Sequence, residues 1–146
     1  MATISYGIEG KIILVTGGSR GIGLDLAKTL LAQKANVVIC GRKQAGLDAA
    51  AAELDGGEHV LAVPAHIARE ADVVRLFDQA VARFGRVDVL VNNVGMNLIS
   101  GVVDAEPALF NKIVESNLTG TWLCSRQAAQ RMREQKAGRI ISITSI

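Results

Sequence analysis

The stretch KIILVTGGSRGIG, residues 11–23, decides the fold. It begins with a short apolar run, Ile12 to Val15, whose β-branched residues favour a fully buried strand. A glycine-rich turn follows directly, and an apolar pattern typical of a helix follows the turn. Glycines allow the backbone to turn tightly and a phosphate to approach it, while the N–H groups of the first helical turn face the anion. The stretch predicts a phosphate site, although an ordinary glycine-rich turn between a strand and a helix remains the alternative.

The order of the glycines is more specific than their number. Residues 16–23 read T-G-x-x-x-G-I-G, which differs from the G-x-G-x-x-G fingerprint of many dinucleotide-binding domains. This variant resembles the glycine motif of the short-chain dehydrogenase/reductase family, whose members have a Rossmann-like fold. The resemblance implies that the cofactor is bound here by six residues of the turn: Gly17, Ser19, Arg20, Gly21, Ile22 and Gly23.

Composition and charge narrow the class of protein. The 146 residues suffice for about one domain, and 49% of them are hydrophobic while only 3% are aromatic, which predicts an aliphatic core. A net charge of +2 gives no support for binding nucleic acid or a membrane surface. Cys40 and Cys124 lie in apolar patterns without metal-ligand spacing, so we expect free buried thiols and no metal site. With no leader peptide and no membrane span evident, the sequence predicts a cytoplasmic protein.

Strand and helix patterns alternate along the whole chain. Strands are predicted over residues 12–15, 35–40, 59–63, 87–91 and 138–144, and one long helix is predicted from about Pro107 towards Met132. This alternation predicts an α/β fold with right-handed crossovers and a parallel sheet covered on both faces. The resemblance implies a Rossmann-like, doubly wound sheet of order 3-2-1-4-5 that stops after the fifth strand. Residues 1–146 are therefore interpreted as a single NAD(P)-binding domain, incomplete at its catalytic end.

Ligands bind such sheets at the carboxyl ends of the strands. After the second strand, the sequence has Arg42 where sites that prefer NAD commonly have an acid. A cation at this place complements a 2′-phosphate, and Arg20 adds a second guanidinium on the adenosine side. The sequence therefore predicts NADP in preference to NAD, while two solvated surface arginines are the alternative.

The next two strand ends also carry family motifs. The resemblance implies an aspartate at residue 66 that reaches the adenine amino group, but the chain has His66, followed by Ile67. Imidazole can bind the adenine edge only in the right tautomer, and a purely structural histidine is the alternative. The run Asn92 to Gly95 resembles the family's N-N-A-G motif, which implies that the cofactor is lined by Asn93, Val94 and Gly95.

Two further residues match catalytic positions of the family. Asn117 lies in S-N-L-T-G, which resembles the N-x-x-G element, and the resemblance implies that it holds a water of the proton relay. The chain's second-to-last residue, Ser145, matches the serine that polarises the substrate carbonyl. The family's tyrosine and lysine lie beyond that serine, and the only tyrosine of this chain is Tyr6.

The function that the resemblance implies is hydride transfer between a nicotinamide cofactor and a small carbonyl or secondary alcohol substrate. Without the tyrosine and lysine, we expect these 146 residues to be inactive alone. The alternative is a dinucleotide-binding or interaction module without chemistry of its own. Family members commonly pair through the helix that corresponds to residues 107–132, so a homo-oligomer is also expected.

Overall fold

The computed structural model describes residues 6–97 and 99–144. Strands and helices alternate, and the longest connection, residues 93–106, joins β4 to the first helix of the following helical pair. The strands are β1 Ile12–Thr16, β2 Asn36–Gly41, β3 Val60–Pro64, β4 Val89–Asn92 and β5 Arg139–Ser142. The helices are α1 Gly21–Ala32, α2 Gln44–Leu54, α3 Glu70–Phe84, α4 Pro107–Val114 and α5 Gly120–Gln135, with a short 3-10 turn at Gly57–His59.

The five strands form one parallel sheet in the order β3-β2-β1-β4-β5, which confirms the predicted topology. Leu14 in β1 lies between Val38 of β2 and Leu90 of β4, so the strand that opens the glycine-rich turn is the centre of the sheet. All strands therefore end at one edge, and four neighbouring loops, which follow β1 to β4, leave that edge.

Helices cover both faces of the sheet, as the continuous apolar strands require. On one face, Ile13, Val15 and Ile39 are buried against α1 and α2. On the other face, Leu14 and Val38 belong to a larger buried cluster that includes Phe77 of α3 and residues of α5. Cys40 and Cys124 are free and buried in this second cluster, as the sequence predicted.

The predicted strands agree with the observed ones to within two residues at each end. Two shifts reach two residues: β4 begins at Val89 rather than Val87, and β5 ends at Ser142 rather than Thr144. The two residues before β4 form side-chain hydrogen bonds: Val87 exchanges two hydrogen bonds with the amide of Gln135, and a carboxylate oxygen of Asp88 accepts from the N–H of Ile12 at 2.9 Å. The backbone of Asp88 also pairs with both neighbouring strands, donating to the carbonyl of Ile12 at 2.9 Å and accepting from the N–H of Arg139 at 3.0 Å, so the sheet pairing extends one residue before β4.

The predicted long helix from Pro107 towards Met132 is present as a continuous run of helical backbone over residues 107–135, but it is not a regular α-helix throughout. The helix is interrupted at Glu115–Thr119 by a π-helical segment, in which the N–H of Gly120 donates to the carbonyl of Glu115. Gly120 is buried against Ile67: a Cβ at this position would lie 2.6 Å from two carbons of the isoleucine side chain. The close packing of α5 on the loop after β3 fixes where the interruption falls.

The outer strand β5 has a different environment from the rest of the sheet. Its residues Ile140 and Ile141 are 40% and 50% exposed, whereas the central strand β1 is buried throughout. Across the described ranges, no helix combines the length and the apolar character that crossing a membrane requires.

Candidate functional site

A cavity of about 510 Å³ lies at the carboxyl ends of the strands. Eleven of the twelve residues predicted to bind a cofactor line it: Gly17, Ser19, Arg20, Gly21, Ile22, Arg42, His66, Ile67, Asn93, Val94 and Gly95. The structure thus brings together residues from four separate loops, which follow β1, β2, β3 and β4. The twelfth residue, Gly23, lies behind the glycine-rich turn and does not line the cavity.

The glycine-rich turn leaves the start of α1 open towards the cavity. Gly17 and Gly21 have φ angles of +68° and +55°, in the left-handed region that favours glycine. A Cβ at Gly21 would meet no atom within 4 Å, so the backbone at the start of α1 can be approached closely. The N-cap residue Arg20 makes no side-chain cap, and the first turn of α1 contains no acidic residue. The N–H groups of this turn are therefore available to an anion.

Gly23 has a packing role instead. A Cβ built on it would overlap the carbonyl oxygen of Gly17 and lie 2.7 Å from Nδ2 of Asn93. Only glycine lets the first turn of α1 approach the end of β1 so closely. The residue therefore shapes the turn from behind.

Hydrogen bonds tie the turn after β1 to the loop after β4. Thr16 Oγ1 accepts from the N–H of Asn93 at 2.9 Å and from the N–H of Val94 at 3.2 Å. Nδ2 of Asn93 donates to the carbonyl of Thr16 at 3.0 Å. A Cβ at Gly17 would lie 3.0 Å from a methyl group of Val94, so this side chain packs on the turn itself. These contacts hold two walls of the cavity at a fixed separation.

The two arginines on the cavity wall have no protein partner. Arg20 and Arg42 are both exposed, and neither guanidinium forms an ion pair or hydrogen bond with a residue of the described part of the chain. Two unpaired cations on one cavity wall create a positive potential that favours an anionic ligand.

Hydrogen bonds to the backbone N–H and to the backbone carbonyl of His66 hold the loop after β3 in place. Its N–H donates to Oδ2 of Asp72 at 2.8 Å, and its carbonyl accepts from the N–H of Arg69 at 2.9 Å. The hydrogen bond from His66, with a smaller contribution from the nearby Arg75 and Arg69, lowers the pKa of Asp72 below its usual range. The ring is anchored as well, because its Nδ1 accepts from the N–H of Ala68 at 3.3 Å.

Asn117 lies in the π-helical segment, and its side chain binds the backbone of the loop after β4. Its Oδ1 accepts from the N–H of Met96 at 2.7 Å, and its Nδ2 donates to the carbonyl of the same residue at 2.8 Å. The side-chain amide is therefore engaged by protein, and it links α4 and α5 to the cavity wall. Ser145, the other predicted catalytic residue, lies outside the described residues.

Sequence reasoning missed several residues of the cavity wall. They are Cys40, Gly41, Ala65, Met96, Lys112, Glu115 and Ser116. Gly41 and Ala65 immediately precede predicted site residues and Met96 immediately follows one, so these three could have been included by proximity. Lys112 and Glu115 come from the helix that was predicted to be unbroken, so nothing in the sequence pattern signalled that they face the cavity. Burial raises the pKa of the Cys40 thiol to about 12, so this cysteine stays protonated.

Comparison with known proteins gives a consistent result. The chain is 37% identical over 142 residues to a 3-oxoacyl-[acyl-carrier-protein] reductase of Synechocystis, covering 95% of this chain and 57% of the relative. It is 37% identical over 149 residues to a short chain dehydrogenase/reductase of Macrophomina phaseolina, covering 99% of this chain and 85% of the relative. With several relatives the chain thus spans little more than half of their length.

A solved structure and a family model extend this result. The crystal structure of a 3-ketoacyl-(acyl-carrier-protein) reductase from Brucella melitensis, complexed with NADH, superposes with a TM-score of 0.89 at 36% identity, covering 94% of this chain and 58% of that one. The model of the short chain dehydrogenase family matches residues 11–146. The chain therefore belongs to the short chain dehydrogenase family.

Proposed function

We propose that this chain binds NADP and is the cofactor-binding part of an oxidoreductase that interconverts a small carbonyl compound and a secondary alcohol. The observation that carries the proposal is the uncapped start of α1, which faces a cavity lined by residues of four strand ends. When bound, the nicotinamide cofactor supplies the hydride. The chain's own residues bind and orient it.

Each wall of the cavity has a separate task in this proposal. The turn from Gly17 to Ile22 binds the pyrophosphate through backbone N–H groups, because the glycines leave that backbone accessible. The loop at His66 and Ile67 borders the adenine. The loop at Asn93 to Gly95 borders the nicotinamide ribose, and the hydrogen bonds to Thr16 keep this loop in register with the turn.

The preference for NADP over NAD rests on Arg20 and Arg42. Both guanidinium groups lack a protein partner in the described ranges, so neither must give up an ion pair to bind a 2′-phosphate. A bidentate contact between arginine and phosphate is among the stronger hydrogen-bonded interactions in proteins.

Isothermal titration calorimetry of Arg42→Asp tests this preference. Wild-type protein should bind NADP more tightly than NAD, and the variant should reverse that order because it repels the 2′-phosphate and offers the ribose an acceptor. Lys43→Asp is the matched control: it makes the same charge change at the next exposed residue, which does not line the cavity. Equal affinities of the two dinucleotides for wild-type protein would contradict the proposal.

In the whole enzyme, Asn117 is proposed to support the proton relay and Ser145 to polarise the substrate carbonyl. The printed 146 residues contain one tyrosine, Tyr6, which is 67% exposed, so they lack a general acid of the kind that the family uses. A chain of these residues should therefore bind NADPH without oxidising it, whichever ketone is added. NADPH oxidation that Ser145→Ala abolishes, measured in protein free of host reductases, would contradict this expectation. If the protein encoded by the full reading frame binds NADPH without oxidising it, the alternative of a dinucleotide-binding module without catalytic activity is favoured.

We also propose that the protein is a cytoplasmic homo-oligomer that associates through residues 107–132. This part of the chain exposes three large apolar side chains, Phe110, Leu118 and Trp122, each more than half accessible. The two free buried cysteines suit a reducing compartment.

A further inference from the structure

The ring of His66 is held in one tautomer at the cavity wall, so this part of the site offers the base a hydrogen-bond donor where an aspartate would offer an acceptor. We propose that His66 donates a hydrogen bond from Nε2–H to the nucleobase of the bound dinucleotide. The inference rests on the proposed dinucleotide binding and adds which hydrogen-bonding groups on the edge of the base this chain recognises.

The tautomer follows from the hydrogen bond between Ala68 and the ring. The N–H of Ala68 donates to Nδ1 of His66 at 3.3 Å, so Nδ1 is the unprotonated nitrogen of the neutral imidazole. The proton of the neutral ring is therefore on Nε2. In the described part of the chain, Nε2 has no hydrogen-bond partner, and the residue lines the cavity. The donor is available to a ligand.

The backbone around His66 prevents the ring from exchanging its roles. The N–H of His66 is bound by the carboxylate of Asp72 and its carbonyl by the N–H of Arg69. Turning the ring over would place a carbon against the half-buried N–H of Ala68 and remove its hydrogen-bond partner, which costs free energy. The loop therefore presents a fixed donor rather than a group that adapts to its ligand.

The location of the ring defines which part of a dinucleotide it meets. His66 follows β3, and the N–H of Ala65 donates to the carbonyl of Gly41 at 2.9 Å, which places this loop beside the end of β2 and Arg42. The adenosine half of a dinucleotide bound with its 2′-phosphate near Arg42 has its base on this side. A donor there cannot accept from the amino group of adenine, but it can donate to a neighbouring ring nitrogen.

An aspartate and this histidine make opposite demands on the base. A carboxylate accepts from the adenine amino group and repels the oxygen that replaces this group in hypoxanthine. An Nε2–H donor finds an acceptor on either base: a ring nitrogen of adenine, or the exocyclic oxygen of hypoxanthine. The site should accordingly tolerate a deaminated base.

Calorimetric titration with NADPH and with its hypoxanthine analogue, nicotinamide hypoxanthine dinucleotide phosphate, tests the inference. Wild-type protein should bind the two with affinities within about threefold. His66→Asp should favour the adenine form by about tenfold or more, because one hydrogen bond is lost and a repulsion is gained. His66→Asn is the matched control: its oxygen can replace Nδ1 as the acceptor for Ala68, but its side chain is too short to replace Nε2. It should weaken NADPH binding about two- to tenfold while preserving the loop.

A second measurement reads the tautomer directly. Long-range ¹⁵N–¹H spectra of the labelled protein should show the His66 ring protonated at Nε2, with a shift of this nitrogen when NADPH is added. A protonated Nδ1 in the complex, a tenfold preference of wild-type protein for adenine, or unchanged binding in His66→Asn would each overturn the inference alone. Failure of wild-type protein to bind either dinucleotide would overturn the proposed function and this inference with it.

Discussion

Gly23 and Gly46 occupy the same helical position, and alanine at each should have opposite effects. Each glycine is the third residue of its helix, Gly23 in α1 and Gly46 in α2. Any gain in helix propensity is therefore similar at the two sites. They differ in their surroundings: a Cβ at Gly46 would meet nothing within 4 Å, while one at Gly23 would overlap the Gly17 carbonyl oxygen.

The contacts at Gly23 allow the magnitude to be estimated. The added methyl group would lie 2.7 Å from Nδ2 of Asn93 and 2.9 Å from the carbonyl carbon of Gly17. A backbone carbonyl cannot swing aside like a flexible side chain, so α1 must move, and overpacking of this kind costs about 1–3 kcal/mol. Alanine at Gly46 should instead stabilise the chain by about 0.5–1 kcal/mol. Because the propensity gain is similar at both sites, the two variants should differ by about 1–3 kcal/mol, which corresponds to roughly 2–12 °C in melting temperature.

Circular dichroism melts at low micromolar concentration measure this difference, and calorimetry measures its consequence for binding. Gly23→Ala should melt lower than wild type and bind NADP weakly, because the displaced first turn of α1 no longer faces the phosphates. Gly46→Ala should melt slightly higher and bind NADP as wild type does. Equal shifts in melting temperature for the two variants would refute the packing argument, and unchanged NADP binding in Gly23→Ala would refute the role of the turn.

Two further predictions concern charge and association. Asp72→Asn should cost about 1 kcal/mol at neutral pH, since it weakens a charge-assisted hydrogen bond to His66. Folding lowers the pKa of Asp72, so the stabilisation by this carboxylate is complete above its ordinary pKa of about 4 and is lost as the pH falls below that value. Urea midpoints of wild type and Asp72→Asn that differ by the same amount down to pH 3 would contradict this. A chain of these 146 residues should form heterogeneous oligomers in light scattering, because Ile140, Ile141 and Ile143 are 40–50% exposed along β5. Ile141→Lys should reduce this association, and a monodisperse wild-type monomer would count against it.

The sequence was sufficient to predict the sheet and its order, because its signals are local. Each strand is a short apolar run, the central strands β1, β2 and β4 are largely buried, and a glycine follows the ends of α2 and α3. Gly85, for example, ends α3 with a φ of +83°, as the position of a glycine after an apolar stripe indicates. Parallel pairing and right-handed crossovers then leave few alternatives for the topology.

The same local signals could not predict the contacts that complete the site. The presence of His66 was evident from the sequence, but its tautomer depends on the N–H of Ala68 and the carboxylate of Asp72, which follow from the geometry of one turn. Likewise, Lys112 and Glu115 line the cavity because of how the helix beginning at Pro107 packs, which its own periodicity does not specify. Hydrogen bonds between side chains and the backbone across a loop do not produce a periodic pattern in the sequence, so periodicity cannot predict them.

The interruption between α4 and α5 shows how such a contact can override a periodic pattern. Each residue of an α-helix advances the direction of the side chains by about 100°, so one extra residue in a turn changes which face the following helix buries. The π-helical segment at Glu115–Thr119 supplies that change. With it, Asn117 can bind both backbone groups of Met96 while Leu123 and Cys124 of α5 still face the core. The π-helical segment therefore coincides with the residue that links this helix to the cavity wall, as is common for π-bulges at functional sites.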